Sequence, residues 1–186
     1  MKFSDSIGLW GIFTMRVFDM RKGELELLRT IHKKNQIVNE GRQSLLELMA
    51  PPIPGVAPPP YPEYQYERQL WSLSAGTNPT PPTINNDVNT MTEAWQHPFT
   101  NPERVVVAVA PNDFYVHVNV TMPALGAVTA GTNLVEAGIF TRGDNDVPGS
   151  AAGRRLYARQ THPVVQKTDT MVIEYDWRLG ISIQAS

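Results

Sequence analysis

The chain of 186 residues is 41% hydrophobic and 18% charged, with 16 prolines, 13 glycines and no cysteine. A length of this order suits one domain burying about 70% of its unfolded surface, and the apolar fraction excludes disorder as the general state. The missing cysteine excludes a disulfide scaffold, a thiolate zinc site, an iron–sulfur cluster and a cysteine nucleophile, while a net charge of −2 supplies no field to gather nucleic acid or an anionic membrane.

Residues 1–50 carry 8 basic and 6 acidic groups and residues 51–186 carry 8 and 12, a mild polarity of +2 against −4. No run approaches the roughly 18 apolar residues of a spanning helix. Asp5, Gly8 and Gly11 interrupt the N-terminal apolar stretch, so neither a transmembrane segment nor a signal peptide is expected.

Residues 9–19 are rich in aromatic and β-branched types, and a second apolar run follows from Leu25 to His32. With Gly23 between them they predict a β-hairpin. Ile37, Val38, Leu45, Leu46, Leu48 and Met49 recur at helical spacing before Pro51 and Pro52, which predicts a helix of about three turns over 37–50. Gly41 inside it costs about 1 kcal/mol relative to alanine, so either the helix begins near it or close packing requires it. Residues 51–62 hold seven prolines and read as an extended polyproline-like arm, incapable of a ladder or a helix interior. Tyr61, Tyr64 and Tyr66 follow closely; this rigid apolar surface either drapes over its own domain or packs on a neighbouring subunit, and the second reading makes these tyrosines the candidate subunit contacts. A strand is predicted around Gln69–Ser74, closed by Ala75-Gly76-Thr77-Asn78, and then an irregular stretch over 79–86.

From Glu103 onward the pattern is β. Arg104–Ala110 is one apolar run, and Phe114, Val116, Val118, Val120 and Met122 alternate with polar residues after a Pro111-Asn112-Asp113 turn. Strands are predicted at 133–141 and 155–161, with a glycine-rich turn over 142–149 between them. Met171, Ile173, Tyr175, Trp177, Leu179, Ile181 and Ile183 alternate with Glu174, Asp176 and Arg178 among others. They predict a strand about 43 Å long, in which Gly180 is read as a bulge or bend. Seven or eight strands with no helix–strand alternation predict an all-β fold: an antiparallel β-sandwich or flattened barrel, one domain over 1–186, with one helix and the Pro-rich arm.

The residues offer no reactive constellation. Dinucleotide, phosphate-loop, nucleophile-elbow and metalloprotease motifs are absent, and His32, His97, His117 and His162 are scattered. No catalytic residue, cofactor or metal site is therefore assigned. His117 and His162 read as solvated or core-edge imidazoles rather than ligands. Glu174 and Asp176 share a strand face about 6.6 Å apart, near the spacing of a glycosidase pair, but Arg178 continues that face and favours a solvated, charge-alternating surface. Arg142-Gly143-Asp144 spells an adhesion tripeptide inside good turn chemistry, and Asp144 with Asp146 lacks the other oxygen ligands of a calcium loop. Trp177 and Trp71 read as core, leaving Trp95, in an expected loop beside His97, as the exposed aromatic.

Taken in order, Ile37-Val38-Asn39-Glu40-Gly41, Ser74-Ala75-Gly76-Thr77 with Pro81-Pro82-Thr83, Glu136-Ala137-Gly138-Ile139-Phe140, Leu156-Tyr157-Ala158-Arg159 and Lys167-Thr168-Asp169-Thr170 leading to Trp177 resemble virion structural proteins of tailed bacteriophages, of the small tail, collar or fibre-attachment type. The resemblance spans about residues 37–183. It implies a non-enzymatic β-sandwich subunit that is made in the host cytoplasm and resides in the virion. Such a subunit forms a symmetric homo-oligomer at the tail, collar or baseplate and anchors other virion proteins such as fibres. It implies no nucleic-acid, membrane or small-molecule partner and carries over no site residues. The Pro-rich stretch 51–62 is longer than the connection expected there. Head decoration, or a glycan-binding fibre module using Trp95, His97 and Asp144, are the alternative readings, and a hydrolase on Glu174 and Asp176 is a distant one.

Overall fold

The computed structural model of the chain describes residues 6–21, 23–42, 70–100, 102–109, 113–141 and 154–184. They form ten strands: β1 (Ser6–Arg21), β2 (Glu24–Lys34), β3 (Gln36–Ile37), β4 (Leu70–Gly76), β5 (Glu93–Pro98), β6 (Arg104–Val109), β7 (Asp113–Met122), β8 (Asn133–Thr141), β9 (Leu156–Gln166) and β10 (Met171–Gln184). The class is all-β, in two open antiparallel sheets rather than one closed barrel. Two compact units are interleaved along the chain, the first comprising Met1–Gln36, Phe99–Leu134 and His162–Ser186, the second Ile37–Pro98 and Val135–Thr161.

The first unit holds the sheet ordered β2-β1-β10-β7-β6. Period-two alternation gives it one apolar face. Phe13, Met15 and Val17 of β1 stand opposite Trp177, Tyr175 and Ile173 of β10; Trp177 and Tyr175 in turn face Val118 and Val120 of β7. All of these are buried. Phe13 and Trp177 pack with ring centroids 4.8 Å apart, tilted at 59°, an arrangement aromatic quadrupoles favour. Burial pushes the Tyr175 phenol well above its ordinary range, because its ionised form would have to shed water. Gly23 closes the β1–β2 hairpin with φ +83°, a conformation that suits a residue without Cβ. Lys167, just after β9, is almost fully buried, its Nζ donating to the carbonyls of Ala124 at 2.6 Å and Thr168 at 2.8 Å. Desolvation lowers its pKa and nearby Asp169 opposes that shift.

The second unit holds most of the sheet ordered β3-β9-β8-β4-β5. Its central strand β8 is buried from Leu134 to Thr141 without alternation, the pattern of a strand covered on both faces. Val38, Met91, Phe140 and Leu156 form a buried cluster. Gly138 admits this cluster, since a Cβ there would run into the Met91 sulfur and Leu156.

Several predicted elements are corrected. The helix expected over 37–50 cannot begin at 37, because Ile37 belongs to β3; helical backbone starts at residue 39, and 43–50 lie outside the described residues. Both readings of Gly41 hold, since it sits in that first turn and a Cβ would strike the backbone carbonyl of Tyr157. Alanine normally gains about 1 kcal/mol over glycine in a helix. Gly41→Ala is nevertheless expected to destabilise by about 1–3 kcal/mol, because the obstacle is backbone that cannot swing aside; urea unfolding checks the sign. Gly180 is no bulge: the register runs through it unbroken, opposite Trp10 on one side and Tyr115 on the other. Its bare Cα instead lets the Trp10 indole lie across β10. Ten strands replace seven or eight, the additions being β3 and β5. The Pro-rich arm 51–62 and the turns at 111–112 and 142–149 lie outside the described residues.

Candidate functional site

Among the described residues, polar side chains gather in two networks, in each of which the carboxylates are partnered. On the polar face of the first sheet, antiparallel register sets Arg16 opposite Glu174. Arg16 Nη1 donates to Glu174 Oε1 at 2.7 Å and Asn119 Nδ2 donates to the same oxygen at 2.9 Å. Asp176 Oδ2 lies 3.1 Å from His117 Nε2, and its Oδ1 lies 3.8 Å from Arg178 Nε. The expectation of a charge-alternating face is met, with Asp176 more buried than a solvated surface implies. Each carboxylate is held by a cation or amide on the same or the neighbouring strand.

The second network lies inside the second unit. Glu136, on the fully buried β8, receives Arg159 Nε and Nη2 from β9 on Oε2, both at 2.8 Å, with neither side chain exposed. Glu136 Oε1 accepts the backbone N–H groups of Asn78 at 2.9 Å and Thr92 at 3.0 Å. Arg159 also donates to Asn86 Oδ1 at 3.1 Å and to the Asn78 carbonyl at 3.3 Å. This ion pair therefore ties down the connection between β4 and β5. Gly76 is required beside it, since a Cβ there would overlap the Glu136 carboxylate. Nearby, Arg154 grips Glu93 in a bidentate pair at 2.7 and 3.3 Å and lies 4.7 Å over the Phe140 ring, while Ser74 donates to the same carboxylate. Segments distant in sequence meet here: Asn39 donates its N–H to the Ile84 carbonyl, Leu156 donates its N–H to Glu40, and Glu136 meets Arg159.

Among the described residues no three histidine, aspartate or glutamate side chains stand together in a way that could hold a metal ion, and no helix is long and apolar enough to cross a membrane. His162 is a buried core residue, stacked on Phe13 at 15° with centroids 6.2 Å apart and bonded through Nδ1 to the Pro163 carbonyl at 2.9 Å. Trp95 is not in a loop: it lies on β5, half-buried and stacked on His97 at 5.6 Å. Tyr61, Tyr64, Tyr66 and Asp144 lie outside the described residues.

What sequence reading missed is the surface of the first sheet's two outer strands. On β2, Leu25, Leu27 and Leu28 are 58%, 53% and 52% exposed, and on β6 Val106 is 77% exposed. Strand edges normally carry charge or proline against unwanted pairing, so apolar residues on both outer strands mark a surface suited to protein contact. The adjacent Leu27-Leu28 pair was the available signal, since strict alternation breaks there. No protein family, curated protein or solved structure matches this chain.

Proposed function

We propose that this chain is a non-enzymatic structural subunit of a tailed-phage virion, assembling as a symmetric oligomer at the tail, collar or baseplate and anchoring other virion proteins such as fibres. The observation that carries the assembly part is the apolar exposure on both outer strands of the first sheet. In an assembly, neighbouring subunits cover such residues; in a monomer they face water at a cost of about 25 cal/mol per Å². The partnering of the carboxylates in both polar networks supports a scaffold in preference to a catalyst. The virion part rests on the ordered resemblance of residues 37–183.

Sedimentation across about 1 to 100 µM tests assembly, with concentration-dependent association expected. A chain that stays monomeric throughout overturns it. In the same measurement, deletion of residues 51–62 is expected to weaken association more than it lowers the melting temperature, as a contact arm requires. Imaging of particles carrying a labelled subunit tests the location.

A further inference from the structure

We propose that the outer edge of β2 is a two-fold interface at which a second copy of this chain adds its own β2 in antiparallel orientation. This deepens the assembly reading and rests on it. Among the described strands, β2 has one neighbour, β1. Along its eleven residues the outer edge, unpaired with any other described strand, carries backbone donors and acceptors on alternate residues, a template for strand addition. Its first half carries the three exposed leucines.

The order of charges along β2 selects the occupant. Glu24 and Glu26 lie at its start, and Arg29, Lys33 and Lys34 lie in its second half. Charge on an edge strand ordinarily repels a second strand. Here the signs are segregated. A parallel copy sets acid against acid and base against base, whereas an antiparallel copy sets the acidic end of each strand against the basic end of the other. A two-fold axis makes one patch complementary to itself. Across the hairpin Arg21 stands opposite Glu24, but its guanidinium is bonded to Asp19, so the acidic end keeps its sign. The register shift opposite Val17 and Phe18 adds a bulge at Leu28, within a run from Glu24 to Thr30 that is exposed throughout.

Charge reversal at each end tests the proposal by sedimentation in low salt. Glu24→Lys with Glu26→Lys, and separately Lys33→Glu with Lys34→Glu, are each expected to raise the dissociation constant at least about tenfold. Mixing the two variants restores association. The fourfold reversal, which inverts the pattern without changing its complementarity, returns the constant to within about threefold of the original. The reversed side chains are solvent-facing or partly so, and circular dichroism verifies the fold of each variant. Association indifferent to both reversals overturns the β2 interface and leaves assembly through another surface. A folded fourfold variant or mixture that fails to associate overturns the antiparallel pairing. A chain monomeric without any substitution overturns the assembly reading with it.

Discussion

Replacing Arg159 by alanine is expected to destabilise the protein by about 3–5 kcal/mol, because it leaves the Glu136 carboxylate buried without its cation. Both side chains are fully buried, and the guanidinium makes bonds to Glu136, Asn86 and the Asn78 carbonyl, so truncation also strands polar groups of the β4–β5 connection. Glu136→Ala is expected to cost at least as much, since it orphans the N–H groups of Asn78 and Thr92 as well as the arginine. The two costs do not add. Once one partner is gone the other is already a liability, so the double variant falls well short of their sum. Urea unfolding of the four chains measures this coupling. Additive costs, or a loss under about 1 kcal/mol for Arg159→Ala, would show that the pair does not anchor the loop.

The second large effect is expected at Trp177. Its ring is fully buried at the centre of the first sheet, between Phe13 and Val118 in register, and alanine there removes the largest side chain of that core. A loss of about 3–5 kcal/mol follows from transfer and cavity terms together, equivalent to a drop of roughly 6–20 °C in melting temperature for a chain this size. Trp95→Ala supplies the contrast: Trp95 is half-buried on the outer strand β5, and its loss is expected to be about 1 kcal/mol or less. Calorimetry that found the two variants equally stable would contradict the placement of Trp177 in the core.

Sequence patterning served well for β8 and β10. The strand at 133–141 has the bounds predicted for it, and the strand from Met171 is one residue longer than predicted. Alternation carries through β10 because one face is apolar and the other holds Glu174, Asp176 and Arg178. β5 was not legible. Glu93-Ala94-Trp95-Gln96-His97-Pro98 has no clear alternation and ends in proline, both consequences of its position on an outer strand where only one neighbour demands a ladder. The Glu136–Arg159 pair was missed for a different reason. The partners are 23 residues apart in sequence and meet only through strand pairing, although a single carboxylate amid Leu134, Val135, Ala137 and Ile139 was a visible anomaly. The β2 surface was hidden because a hairpin of apolar residues reads alike whether its leucines face a core or water.

The pairing of β1 with β10 bears on how the chain acquires its structure. Ser6 lies opposite Gln184 and Asp19 opposite Met171, so β1 is flanked by its hairpin partner on one side and by the last described strand on the other. A two-stranded hairpin alone is marginal in water. During synthesis β1 therefore waits, one edge bare and its phenylalanines and methionines uncovered, until β10 has emerged. Closing so large a loop makes folding slow relative to a protein built from local contacts. Throughout that interval the nascent chain offers an apolar strand edge to whatever is nearby, a period in which chaperone protection or crowding by sister chains decides between folding and aggregation.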